Sequence, residues 1–233
     1  MIGYIPILTT TLSVVFLLLI VPHALRKPRA YLLWWAVGVL FYGLGTLVES
    51  LHTLQGWSPG LFRAWYIFGA LLGGAPLAQG TVHLLMPARK AWALSIALIV
   101  AIVFSSVLVL LSPLATPGPE AKLSGAVLEW QGIRLITPFI NIYAFIFLVG
   151  GAAWSAWQYA RKGTHRARMN GNILIALGGL LPGIGGSFTK FGHVEVLYIT
   201  ELLGLILILI GYEVIRRAHA PSVHANQLEA SPA

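Results

Sequence analysis

The chain has 233 residues, of which 58% are hydrophobic and 9% charged, and its formal net charge is +8. Soluble domains carry about 25% charged residues, so this composition cannot cover a water-facing surface and excludes an ordinary soluble domain. Cysteine is absent, which excludes disulfides, thiolate metal sites and cysteine nucleophiles, and there is no aspartate.

A membrane-spanning helix needs about 20 mostly apolar residues. The apolar runs predict an all-α, polytopic membrane protein with seven spans, at 4–24, 31–53, 62–86, 91–112, 134–159, 171–190 and 194–215. The first span is followed, not preceded, by Arg26, Lys27 and Arg29. A cleaved signal peptide has its basic residues first, so this span is expected to stay as a helix.

The loops then alternate in charge. Arg26, Lys27 and Arg29 follow span one, Arg89 and Lys90 span three, Arg161, Lys162, Arg166 and Arg168 span five, and Arg216 and Arg217 span seven. These are eleven of the fifteen basic residues, and all fall on one side; Arg63, Lys122, Arg134 and Lys190 fall on the other. The positive-inside rule puts the first group in the cytoplasm, hence an outer N-terminus and an inner C-terminus. The expected organisation is one seven-helix transmembrane domain over 1–217 and a polar, proline-containing tail over 218–233, disordered in the cytoplasm. Basic clusters so placed are topology signals facing the lipid bilayer, so nucleic acid is not an expected partner. The multi-pass charge pattern and plain N-terminus point to a bacterial inner membrane. The one sizeable outer loop, 112–132, is too short for a domain, though 121–130 is expected to form a short interfacial helix.

Two stretches resemble each other. Residues 36–45 in span two and 176–185 in span six match at five of ten positions, three of them glycines. Each span follows a basic loop and precedes a helix carrying a Tyr-Ile pair, Tyr66-Ile67 and Tyr198-Ile199. The match predicts parallel repeats of spans one to three and five to seven, with span four as an inverting linker; Gly-, Ala- and Leu-rich membrane helices also yield short matches by composition. The 3+1+3 plan is similar to that of SWEET-type sugar transporters, which implies transport at the repeat interface. The proline-glutamine pair of the related PQ-loop proteins is absent. The last span has no lysine for a retinal Schiff base, unlike microbial rhodopsins. Gly69 and Gly73, Gly179 and Gly183, Gly38 and Gly45, and Gly204 and Gly211 have spacings that let helix backbones approach. Pro182, beside Gly183, Gly185 and Gly186, is expected to kink span six and make its outer part the weakest helix.

Polar groups inside a membrane are costly and usually turn toward a bundle interior or cavity. Here they gather in the outer half. Tyr42, Thr46, Glu49 and His52 make one stripe on span two, Arg134, Thr137 and Asn141 another on span five, and Tyr198 and Glu201 a third on span seven. Asn141 lies about 10 Å deeper than Arg134. Lys190 ends span six and Arg63 opens span three. Glu201 lies one to two turns inside the membrane and needs a neighbour; Arg134, Lys190 and Arg63 are its candidate cations. The expected ligand-binding set is Tyr42, Glu49, Arg134, Asn141, Lys190, Tyr198 and Glu201, around one polar chamber. His52 and His193, at matching outer positions, admit haem or a metal with Glu49 or Glu195, although no HExxH-type spacing exists. His83, near the inner end of span three, reads as a hydrogen-bonded helix residue, and Trp57, Trp92 and Trp130 as interfacial anchors.

These features lead to a membrane-embedded binding protein for a small molecule, a transporter or receptor-like sensor. The alternative is an accessory or assembly subunit of a larger membrane complex, with haem or pigment association an option. An intramembrane enzyme using Glu49 or Glu201 with a histidine is the third reading, for which no catalytic motif stands out.

Overall fold

The computed structural model describes residues 2–115, 123–163, 165–189 and 191–218. Among them no strand forms, and seven helical segments are long and apolar enough to cross a membrane: Ile2–Arg26, Ala30–Gln55, Pro59–Leu85, Ala88–Leu111, Gln131–Lys162, Arg166–Thr189 and Val194–Arg217. These are the expected spans, with ends shifted by up to five residues. The tail beyond 218 lies outside the described residues, as do Lys190 and residues 121 and 122.

We number the regular helices α1 (Ile5–Arg26), α2 (Ala30–Gln55), α3 (Pro59–Trp65), α4 (Ala75–Leu85), α5 (Ala88–Leu111), α6 (Gln131–Ala144), α7 (Gly151–Lys162), α8 (Arg166–Thr189) and α9 (Val194–Arg217). Turn chemistry sets the breaks between them. Gly56 ends α2 at φ +79°, its N–H donating to the His52 carbonyl at 2.9 Å. The Ser58 hydroxyl then accepts from the Leu61 N–H, and Pro59 opens α3. Gly163 ends α7 in the left-handed region at φ 61°. The bundle's surface is apolar: Phe139, Leu25 and Leu18 are each exposed by 70% or more. A soluble bundle would bury such side chains; a lipid bilayer would solvate them.

Glycines bring the helices together. Gly171, Gly178 and Gly185 of α8 recur every seven residues and face Gly211, Gly204 and Leu197 of the antiparallel α9. A Cβ at Gly178 would sit 2.6 Å from the Gly204 carbonyl oxygen, and one at Gly204 2.6 Å from that of Gly178. Only glycine allows this approach. Span three packs on α2 in the same manner, with Gly38 against Leu77 and Gly45 against the Gly69 backbone.

Two expectations need correction. The outer part of span six does not break at Pro182: α8 runs unbroken through it to Thr189. The Pro182 ring packs where Gly204 leaves room for it, its Cδ 3.0 Å from the place a Cβ would take. The break falls in span three, where a π-helical turn (Tyr66–Leu71) is followed by three non-helical residues before α4. Gly73-Gly74-Ala75-Pro76 explains it, since Pro76 has no N–H to donate to the Leu72 carbonyl and the glycines weaken the turn before it. A second π-helical turn (Phe145–Gly150) joins α6 to α7.

The outer loop is not a helix over its described part either. Residues 125–127 form one 3-10 turn, and the Ala115 N–H donates to Val127 and the Glu129 N–H to Pro113, pairing the loop's two arms. Leu123 and Leu128 thereby plug the outer core against Phe62, Trp65 and Tyr66.

Candidate functional site

The centre of the site is a pair of carboxyl groups. Glu49 of α2 is 2% exposed. The indole Nε1–H of Trp65 donates to its Oε1 at 2.9 Å. Its carboxyl faces that of Glu201 on α9. Were both groups ionised, Glu49 Oε2 and Glu201 Oε2 would be buried acceptors facing no donor. One proton between them satisfies both, because a carboxylate alone has no hydrogen to give. The Tyr42 hydroxyl donates to the Glu201 backbone carbonyl at 2.9 Å and fixes α9 against α2 at this level. Thr46 and Ser50 extend the polar line on α2 toward α1, where Thr10 bonds Thr46 at 3.0 Å.

One helical turn nearer the end of α2 and the start of α9, the same two helices present His52 and Tyr198. With Gly3, Thr53, Leu123, Val194 and Glu195 these line an open depression of about 300 Å³. His52 Nδ1 is buried and has no hydrogen-bond partner among the described residues. Thr53 closes one wall by donating to the Gly3 and Glu49 carbonyls. Each wall therefore carries a lining side chain three residues from a buried carboxyl: His52 with Glu49, and Tyr198 with Glu201.

Of the expected set, Tyr42, Glu49, Tyr198 and Glu201 come together. Arg134 and Asn141 do not join them; both are exposed on α6. The buried line of that helix is Ile133, Thr137, Ile140 and Ala144, one position round from Arg134 and Asn141, so only Thr137 of the expected stripe turns inward, where it bonds the Tyr66 hydroxyl at 2.8 Å. The apolar residues of α6 outweigh its polar ones in setting its rotation. Arg63 is not beside Glu201 either: its Nη2 donates to the Ser112 carbonyl and caps the end of α5. Lys190 is outside the described residues. Among the described residues, the group beside the Glu201 carboxyl is another acid, Glu49. His193 is exposed ahead of α9, while His52 lines the depression. Among the described residues no three His, Asp or Glu side chains gather as metal ligands.

A second polar network lies at the other end of span three, around Gln79. Gln79, fully buried, donates to Ser95 at 2.7 Å and to the Ala91 carbonyl at 3.0 Å, and accepts from the Tyr143 hydroxyl. His83 bonds the same Ser95 at 2.8 Å, as a hydrogen-bonded helix residue should. These contacts tie α4 to α5 and α6. The signal was present, since an amide within an apolar run needs a buried partner. Trp65 carries no such signal: an indole near a span's end looks like an interfacial anchor, and nothing local reveals that it reaches Glu49.

Comparison of the chain with protein-family models, curated proteins and solved structures finds no match. The class that the fold defines is an all-helical bundle of seven helices long and apolar enough to span a membrane, compatible with a multi-pass membrane protein.

Proposed function

We propose that this protein binds a small polar molecule in the depression between α2 and α9, from the outer side of the membrane, and that the Glu49–Glu201 pair beneath it responds to the occupant. The observation that carries the reading is the repeated arrangement on the two helices, a lining side chain one turn above a buried carboxyl. A purely structural carboxyl pair would need neither the open depression above it nor the unpaired His52 nitrogen. The N-out, C-in orientation belongs to the same proposal and rests on the division of basic residues. A bacterial inner membrane is the setting we propose for it.

Transport is favoured over sensing by the packing of the matched segments. Gly38 and Gly45 of α2 seat span three; their counterparts Gly178 and Gly185 of α8 seat α9. Span one packs on span seven as span five packs on span three. These equivalences support parallel repeats, and the break in span three supplies an interrupted helix of the kind that borders transporter sites.

Thermal unfolding of the purified full chain with panels of amino acids, amines, sugars and carboxylates tests the reading. A ligand of the native state at free concentration L stabilises it by RT ln(1 + L/Kd), so Tm rises with the logarithm of its concentration once that exceeds Kd. At least one class should raise Tm, and Tyr198→Phe or His52→Ala should abolish the rise. The reading fails if no class does so.

A role as a subunit has its own support. Asn141 is exposed on α6 well inside the span, where a partner helix would satisfy its amide better than lipid does. Obligate co-purification with another membrane chain would favour that role.

A further inference from the structure

The basic end of span five has a construction that positive-inside topology does not require. We propose that it holds an anionic phospholipid, with the phosphate on Arg161 and Lys162 and the lipid backbone against Trp157. Trp154 and Trp157, both about half exposed at 53% and 45%, have ring centroids 4.8 Å apart and form a ledge on the outside of α7. The Arg161 guanidinium lies 4.8 Å from the centre of the Trp157 ring, held over the ledge and not extended into water. Trp157, Gln158, Arg161 and Lys162 enclose a hollow of about 330 Å³.

Charge identifies the occupant. Between 161 and 168 the chain has four cations and no acid. Glu213, near the basic end of α9, is engaged by Arg216 at 2.7 Å and Arg217 at 3.5 Å. Arg168 turns to the Tyr159 ring at 6.0 Å, on the next position of the same turn. Arg161 and Lys162 are thus left facing the hollow, and a phosphodiester matches both their charge and the guanidinium's paired donors. Farther along the same outer surface, Gly150 is exposed with open space where a side chain would stand, so an acyl chain has room beside Trp154. A zwitterionic lipid of equal size offers the same chains without net charge, and a free phosphate offers the charge without the chains. Basic pockets at the ends of membrane helices bind anionic headgroups on this principle.

The test uses the full chain in phosphatidylcholine bilayers doped with photoactivatable phosphatidylglycerol or photoactivatable phosphatidylcholine, with adducts mapped by mass spectrometry. Phosphatidylglycerol should label residues 154–162 on the order of fivefold more than phosphatidylcholine, the effect of roughly one well-placed cation. The excess should vanish in Arg161→Gln/Lys162→Gln and persist in Arg26→Gln/Lys27→Gln, which removes the same charge from another basic end. Trp157→Leu, at an exposed position, should weaken it and serves if the double variant fails to insert. Equal labelling by the two lipids, equal loss in both double variants, or suppression by inorganic phosphate at millimolar concentration would each overturn the proposal.

Discussion

Glu49 shows what a single buried carboxyl does in this bundle. It accepts from Trp65 on one oxygen and faces Glu201 on the other side. Glutamine keeps an oxygen for the indole and provides an N–H for Glu201, so Glu49→Gln should change stability by less than about 1 kcal/mol. Leucine strands both partners, and an unsatisfied buried polar group costs about 1–3 kcal/mol. Glu49→Leu should therefore lower the unfolding temperature in detergent clearly below that of Glu49→Gln. Equal behaviour of the two variants would mean that the pair is not hydrogen-bonded as described. The sequence located these residues through their spacing, because a carboxylate within an apolar run is itself a signal. It could not reveal that Glu201 meets an acid. Helix rotation decides that, and rotation depends on the sum of all apolar contacts along each helix, as the outward turn of Arg134 and Asn141 illustrates.

For whole helices, length and charge were legible and interruption was not. The spans follow directly from hydropathy, which reports transfer free energy summed over a turn or more. Whether a proline breaks a helix depends on what lies opposite. Pro182 is accommodated against Gly204, whereas Pro76 follows two glycines and α4 begins afresh there. The same opposition makes glycines unequal. A Cβ at Gly178 meets the Gly204 carbonyl, while one at Gly183, five residues on, meets no atom within 4 Å. Gly178→Ala should destabilise the protein by about 1–3 kcal/mol, the usual range for overpacking. Gly183→Ala should be neutral or stabilising by up to about 1 kcal/mol through helix propensity. Chemical unfolding of both variants checks the contrast; a Gly178→Ala protein as stable as the parent would refute the close approach of α8 and α9.

For the whole molecule, the account joins orientation to access. In the proposed orientation, which rests on the division of basic residues, the C-terminus is inside, so a reporter that fluoresces only in the cytoplasm should be bright when fused after Ala233; a full-length, dark fusion would reverse the topology. With that orientation the depression between α2 and α9 opens outward. The absence of native cysteine allows this to be examined without background. Thr53 lines the depression, and cysteine is a close replacement for it in size. The most direct measurement is the labelling of Thr53→Cys in intact cells by a membrane-impermeant thiol reagent. The account predicts rapid labelling from the outside, slowed by any small molecule that raises Tm through Tyr198. Labelling that appears only after the membrane is permeabilised, or not at all in a folded protein, would contradict an outward-facing binding site.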